Sequence, residues 1–269
     1  MTPAAPPCER TVVREGGPGP SVTSKALAIL GAFTPQKPKL RLMEICRATG
    51  LKAPTAHRLL GELVEWGALE KLADGQYRIG LRLWEIGSLS PRSRTLREIA
   101  RPFMQDLYEA TRENVHLAVL RDSQVLYVEK FFGRRSIRIP THIGERLPLH
   151  PTSAGKVLLA FSPPAVQDQV LRSRLQRFTP RTITRPGTLG QILTEVRRTG
   201  IATAVEELTM GAFSIAAPIV DGEGRTIAAL SLVVRSSPNA PDRMGPAVRT
   251  AAHGISRMLA QTPDLDIGA

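Results

Sequence analysis

Three polar side chains follow closely on one another near the start of a helical pattern, at Thr55, His57 and Arg58. Their hydroxyl, imidazole and guanidinium groups can form hydrogen bonds with the edges of DNA bases, and an arginine can bind guanine through two such bonds. Lys52, just before them, carries a cation that can contact a base or a phosphate. These residue types at this spacing predict a surface that contacts DNA.

The surrounding residues predict a helix-turn-helix that would present these side chains. Ile45 lies on a first short helix, and Gly50 stands where the chain must turn, which suits glycine because it takes a positive φ at little steric cost. Ala56 and Leu59 would pack the second helix against the first. Arg41 stands where a short polar residue normally caps the first of these helices, so we expect a weak start there. An ordinary helical hairpin is the alternative that these residues alone leave open.

The next residues favour DNA binding over a plain hairpin. Residues 67–71 and 77–80 flank the turn-forming cluster 73–76, which predicts two short strands joined by a tight turn. A β-hairpin directly after a recognition helix is a wing. Lys71 and Arg78 lie on it and can reach phosphates, although either could be an ordinary solvated charge.

Composition limits the class of protein further. The chain has 269 residues, a net charge of +12 and two cysteines, Cys8 and Cys46. The charge favours a polyanionic partner, and the cysteines support neither a disulfide framework nor a metal site. No apolar run approaches the roughly 20 residues needed to span a membrane, and a hydrophobic signal core is absent from the N-terminus. We therefore expect a soluble cytoplasmic protein with no membrane partner, no metal and no cofactor.

The pattern along the chain predicts two domains and two tails. We expect a disordered Pro/Gly-rich tail over 1–20, a winged helix-turn-helix over 21–80, a helical linker over 81–98, an effector-binding domain over 99–262 and a short tail over 263–269. The first helix should span 22–33. Helices over 81–88 and 96–111 should be separated by a break at 90–94.

The second domain changes to a strand-like period. Strands are predicted over 116–120, 125–129, 136–140, 201–205, 212–220 and 226–234. Helices are predicted from Ser153, over 188–198 and over 247–261. Strands linked by hairpins with helices on the flanks imply an α+β domain with a mainly antiparallel sheet.

Four segments of this chain resemble the isocitrate lyase regulator (IclR) family of bacterial transcription factors. The residues that carry this resemblance are Thr49-Gly50-Leu51 with Thr55 and His57-Arg58-Leu59-Leu60; Tyr77-Arg78-Ile79-Gly80; Leu147-Pro148-Leu149-His150 followed by Gly155-Lys156-Val157-Leu158-Leu159-Ala160; and Glu206-Glu207-Leu208, Gly211 and Ile215-Ala216-Ala217-Pro218. Ala53, Pro54 and Ala56 depart from the family pattern, in which Lys, Ser and a larger apolar residue are common at these positions. The resemblance covers about residues 21–262. It implies a winged helix-turn-helix, a linker helix and a GAF-like or profilin-like domain that binds a small organic acid. It also implies a homodimer or homotetramer on a palindromic operator in double-stranded DNA, acting as repressor or activator.

The same resemblance assigns effector-binding positions in the second domain. They are Ser153, Ala154, Gly155, Ala204, Ser214, Ser231 and Val233. Ile139 and Ala212 would line the apolar wall of the pocket, although both could be plain core residues. A helix that begins at Ser153 has an independent physical merit, because a helix N-terminus attracts a carboxylate, although Thr152 could cap that end instead. Similar proteins usually have polar residues at the positions of Ala204 and Val233. The pocket should therefore be more apolar than one for a very small keto acid, which favours a larger aromatic or aliphatic acid.

Two residues beside these positions invite an enzymatic interpretation. His150 and Lys156 could serve catalysis, but neither a nucleophile nor a carboxylate partner is evident nearby in sequence. We expect His150 to be a structural hydrogen bonder and Lys156 to pair with Glu206 or Glu207. The favoured function is a ligand-responsive transcriptional regulator and not an enzyme. The alternatives are an enzyme that uses the C-terminal pocket, with the front domain as an interaction module, and a general nucleic-acid architectural protein.

Overall fold

The computed structural model describes residues 20–89, 91–133, 137, 139, 141–237 and 239–261. Its chain divides into two units, Met1–Ser90 and Pro91–Ala269. The predicted tails, apart from Pro20, lie outside the described residues, as does most of the predicted strand 136–140. Ile137 and Ile139 of that segment are described and belong to no strand.

The first unit is a small helical domain with a three-stranded sheet. Its elements are α1 (Val22–Gly31), β1 (Lys39–Arg41), α2 (Leu42–Thr49), α3 (Ala53–Glu65), β2 (Leu69–Lys71), β3 (Gln76–Ile79) and α4 (Leu81–Ser88). β3 lies between β1 and β2 and pairs antiparallel with both. β1 was not predicted, because in a three-residue strand with only Leu40 buried the alternation is too short to detect.

The turn between α2 and α3 has the expected geometry. Gly50 adopts φ of 71°, in the left-handed region, and its N–H donates to the Cys46 carbonyl oxygen. Ile45 and Leu59 are fully buried between the helices. As expected, the Arg41 side chain does not cap α2, but the Glu44 carboxylate accepts a hydrogen bond of 2.7 Å from the Arg41 backbone N–H. This is one half of a capping box, and it compensates in part for the missing side-chain cap.

The second unit contains six strands and five helices in its described part. They are α5 (Pro91–Thr111), β4 (Asn114–Arg121), β5 (Gln124–Phe131), β6 (Arg146–Pro148), α6 (Ser153–Ala160), α7 (Pro164–Arg172), α8 (Pro186–Thr199), β7 (Ala202–Val205), β8 (Ala212–Val220), β9 (Thr226–Arg235) and α9 (Ala240–Ala260). The strand order is β6-β5-β4-β9-β8-β7, and every neighbouring pair is antiparallel. The predicted α+β class with an antiparallel sheet is confirmed.

Each face of this sheet is covered by helices. Side chains such as Leu117 and Ile215 point to one face, where they form a core with α5 and α9. Their chain neighbours Ala118 and Ala216 point to the other face and form a core with α6 and α8. This alternation follows from the two-residue period of a strand, so a single strand contributes to both cores.

Several predicted boundaries were wrong. α5 begins at Pro91, so residues 91–94, which were predicted as a break, belong to the helix. α9 begins at Ala240 and continues through Pro246, although it was predicted to begin at residue 247. β6 and α7 were not predicted. None of the helices in the described ranges is both long and apolar enough to cross a membrane.

Candidate functional sites

The N-terminal part of α3 exposes the side chains that were predicted to read DNA. Lys52, His57 and Arg58 are exposed and Thr55 is half-buried. The Arg58 guanidinium pairs with Glu62, one turn further along α3, and both side chains are more than half exposed. An exposed pair of this kind contributes little stability, so Arg58 can exchange Glu62 for another acceptor at low cost.

The two wing residues are exposed on the hairpin formed by β2 and β3. Arg78 on β3 stands opposite Glu70 on β2, and its Nε donates to a Glu70 carboxylate oxygen at 2.7 Å. Lys71, the next residue of β2, is also exposed, and it stands opposite Tyr77, on the other face of the strand pair from Arg78. The hairpin thus places two exposed cations on one strand pair directly after α3, where cations are able to contact phosphates.

A cavity that is partly open to solvent lies within the second unit. Its lining comprises His116, Tyr127, Ile139, Thr141, Pro151, Thr152, Ser153, Ala204, Glu207, Leu208, Thr209, Ala212, Ser214, Ser231 and Val233. Seven of the nine predicted effector positions are in this set.

Strand register explains how residues far apart in sequence meet in this wall. Ala204 pairs with Ser214, and Ser214 with Val233, so these three form one row across β7, β8 and β9. In the next row on the same face, Ser231 pairs with His116 of β4. His116 was missed from the sequence, although its position two residues before buried Ala118 places both on one face of β4.

The start of α6 corrects one predicted contact. The Thr152 hydroxyl caps the helix by accepting a hydrogen bond of 3.0 Å from the Gly155 N–H. The Gly155 amide is therefore occupied within the protein. Among the described residues that line the cavity, α6 contributes Ser153, while Ala154 and Gly155 are buried behind it. Capping by Thr152, the alternative left open by the sequence, is what the structure has.

Lys156, one turn into α6, forms a buried ion pair. Its Nζ donates to the Glu207 carboxylate and, at 2.9 Å, to the Thr203 carbonyl oxygen. The side chains of Lys156 and Glu207 are 1% and 6% exposed. Burial lowers the pKa of Lys156, and the facing carboxylate counteracts that shift. Glu206, the other predicted partner, instead pairs with Arg181 at 3.2 Å.

His150 has the structural role that was expected of it. Its Nε2 lies 2.9 Å from the Gln176 carbonyl oxygen, and burial lowers the pKa of its imidazole. Neither His150 nor Lys156 lines the cavity. Within the described residues, no cluster of three or more His, Cys, Asp or Glu side chains could hold a metal ion.

Two residues that line the cavity each have one buried polar atom without a hydrogen-bond partner in the described part of the chain, His116 Nε2 and Glu207 Oε2. Burial, together with the charge of Lys130, lowers the pKa of His116 to about 3, so the imidazole is neutral near pH 7. Buried polar atoms in proteins nearly always have partners. The wall therefore retains hydrogen-bonding capacity that a bound molecule could use.

A winged helix-turn-helix followed by an α+β domain with its own cavity defines a two-domain class of DNA-binding transcriptional regulator. Residues 22–73 match the family model described as "IclR helix-turn-helix domain", and residues 90–257 match "Bacterial transcriptional regulator IclR C-terminal". The chain belongs to the IclR family, as the sequence motifs predicted. Its relatives are named transcriptional regulators, and this chain is a DNA-binding regulator and not an enzyme.

Three similar proteins show how far this likeness extends. The HTH-type transcriptional regulator XynR of Escherichia coli is 34% identical over 79% of this chain and 85% of its own length. The p-hydroxybenzoate hydroxylase transcriptional activator of Acinetobacter baylyi is 29% identical over 88% and 90%, respectively. An IclR homolog from Microbacterium hydrocarbonoxydans, solved in complex with 4-hydroxybenzoate, is 34% identical, covers 90% of this chain and 100% of its own, and superposes with a TM-score of 0.86.

Proposed function

We propose that this chain binds a specific operator through α3 and its wing, and that a small organic carboxylate bound in the second unit modulates that binding. The observation that carries the proposal is the cavity itself, which is lined by the start of α6 and by two residues, His116 and Glu207, that each have an unpartnered polar atom among the described residues. The 4-hydroxybenzoate complex of a protein 34% identical to this chain supports the class of ligand.

On the DNA side, the exposed residues divide into two roles. Thr55, His57 and Arg58 contact base edges in the major groove, because they lie on the N-terminal part of the second helix of the motif. Lys52, Lys71 and Arg78 contact phosphates, which gives affinity and orientation without reading the sequence. A homodimer, alone or within a tetramer, places two such helices about one turn of DNA apart and so binds a palindrome.

On the ligand side, the cavity combines a polar end with apolar walls. Ser153 at the first turn of α6 offers an amide that has no partner within the helix, and the positive end of the helix dipole favours a carboxylate there. Ser214 and Ser231 add hydroxyl groups. The remaining predicted positions in the wall are apolar: Ile139, Ala204, Ala212 and Val233. This balance suits an aromatic acid better than a very small keto acid.

The test is binding of the full chain to DNA fragments from its own genetic neighbourhood, with a randomised duplex as control. We expect a protected palindrome, and a change of at least about 5-fold in operator affinity on adding a saturating aromatic carboxylate such as 4-hydroxybenzoate. Equal affinity for operator and random duplex would refute specific binding. Unchanged operator affinity across a panel of aromatic and aliphatic carboxylates would refute the effector assignment.

A further inference from the structure

The Glu207 carboxylate is only half satisfied. One oxygen accepts from the Lys156 ammonium, while the other is buried with no hydrogen-bond partner within the described ranges. The residue is held in place at its backbone as well, because the Thr182 hydroxyl donates to its carbonyl oxygen at 2.7 Å. A buried charged oxygen left without a donor is costly, and Glu207 lines the cavity. A donor supplied from the cavity would remove that cost.

The unpartnered oxygen restricts what can lie against it. An ionised carboxylate is an acceptor only, so its neighbour must present an N–H or O–H group. The carboxylate of a ligand cannot take this place, because like charges repel strongly where little water screens them. The anionic end of a ligand must therefore lie away from Glu207, and a different group of the same molecule must face it.

We propose that the effector carries a hydroxyl group in addition to its carboxylate, and that the Glu207 Oε2 atom accepts the hydrogen bond from this hydroxyl. Glu207 is then the residue that selects hydroxylated acids over their unsubstituted counterparts. The proposal rests on the proposed function, since it assumes that the cavity binds a carboxylate. The proposal gives the buried pair of Lys156 and Glu207 a role beyond stability. Lys156 holds the Glu207 carboxylate in place, and the second oxygen of that carboxylate accepts a hydrogen bond from the ligand.

His116 fits this arrangement. Its Nε2 lies in the same wall without a protein partner in the described residues, and its imidazole is neutral because burial lowers its pKa. A neutral imidazole offers no positive charge to a carboxylate. The carboxylate of the ligand therefore lies at the start of α6. The imidazole nitrogen can instead bond a neutral polar group, in either direction according to its tautomer.

The decisive experiment is calorimetric titration of the unmodified full-length protein with matched acids. The probes are benzoate, 4-hydroxybenzoate and 4-methoxybenzoate, with hexanoate and 6-hydroxyhexanoate as an aliphatic pair. We expect the hydroxylated member of the pair that binds to bind at least about 10-fold more tightly than its partner. The methoxy compound, which has similar bulk but no donor, should show none of this gain.

The outcomes separate this proposal from the function on which it rests. Equal affinities within a pair that binds would overturn the role of Glu207 and leave the carboxylate effector intact. Binding by neither pair, together with unchanged operator affinity, would overturn the effector assignment and the role of Glu207 with it.

A variant tests the residue itself. Glu207→Gln replaces an acceptor oxygen by an N–H donor, so the preference for 4-hydroxybenzoate over 4-methoxybenzoate should disappear or reverse. Glu206→Gln is the matched control, because Glu206 precedes it in the chain, pairs with Arg181 and does not line the cavity. Retained preference in folded Glu207→Gln would contradict the proposal. If that variant does not fold, the comparison of ligands on the unmodified protein decides alone.

Discussion

Lys156 and Glu207 lie 51 positions apart in the sequence and meet in the interior of the second unit, where the ammonium group of one donates to the carboxylate of the other. The pair joins α6 to the segment that follows β7. Both of these elements contribute to the cavity wall. Because neither charged group is accessible to solvent, each is stabilised by the other. Removal of one therefore leaves the other buried and unpaired.

Lys156→Met should therefore lower the free energy of unfolding of the second unit by about 3–5 kcal/mol. Chemical denaturation followed by circular dichroism is the suitable measurement, because both tryptophans, Trp66 and Trp84, belong to the first unit and report only on it. Arg181→Ala is the control, since it removes an ion pair whose arginine is 65% exposed, and should cost less than about 1 kcal/mol. Equal losses of unfolding free energy in Lys156→Met and Arg181→Ala would contradict the expectation that breaking the buried ion pair costs more than breaking the exposed one.

Gly155 should tolerate no side chain. A Cβ atom there would lie 2.2 Å from the Leu149 carbonyl oxygen and 2.5 Å from the Thr152 hydroxyl. Gly155→Ala must displace backbone at the start of α6, and we expect a loss of about 1–3 kcal/mol in unfolding free energy. Gly190→Ala, in α8 with nothing within 4 Å of the new methyl group, should instead gain about 0.5–1 kcal/mol. The same denaturation assay compares the two, and a stable Gly155→Ala protein would argue against this close approach.

Much of the fold was predictable because its elements carry local patterns. The turn at Gly50, the wing and the long strands of the second unit each follow from residue types within a short window. The missed strands β1 and β6 have three residues each and form through partners distant in sequence, so no local period marks them. The start of α9 was missed because Pro246 normally ends a helix, while here the helix continues through it.

The cavity was partly predictable for a different reason. Ser214, Ser231 and Val233 were found through family motifs, and the strand register brings them together. His116 and Glu207 belong to the wall through the pairing of β4 with β9 and through the ion pair with Lys156. The ion pair was predicted only as a choice between Glu206 and Glu207, and the pairing of β4 with β9 was not predicted. Because both relationships join residues distant in sequence, only the folded chain shows that His116 and Glu207 line the cavity.

His116 should make the second unit sensitive to acid. Its pKa is about 3 in the folded protein and near 6.5 in an unfolded chain, so below pH 6.5 the unfolded state binds a proton that the folded state rejects. Stability should fall as pH decreases from about 6.5 toward 3, by up to about 1.4 kcal/mol per pH unit from this residue.

His116→Phe removes that contribution and should flatten the curve of unfolding free energy against pH. Burial also lowers the pKa of His150. The contribution of His150 to the pH dependence of stability is therefore present in both the unmodified protein and the His116→Phe variant. His142→Gln, at an exposed histidine, is the control and should leave the slope unchanged. A slope in His116→Phe as steep as in the unmodified protein would assign the acid sensitivity to other groups.

Removal of a phosphate-contacting cation and removal of a base-contacting cation from the first unit should have different effects on DNA binding. Lys71→Ala deletes a phosphate contact, so affinity should fall about equally for operator and random DNA, and the slope of log affinity against log salt should drop by about 1. Arg58→Ala should cost about 1–3 kcal/mol on the operator alone, because a lost base contact matters only where the correct base is present.

Glu62→Gln separates the ion pair within α3 from the contact with DNA. This pair is exposed and contributes little stability, so its loss should leave α3 folded and Arg58 free to reach the base. Operator affinity should therefore be kept or increased in Glu62→Gln while it falls in Arg58→Ala, as measured by fluorescence anisotropy at several salt concentrations. Equal losses in both variants would mean that Arg58 acts by holding Glu62 and does not read the base.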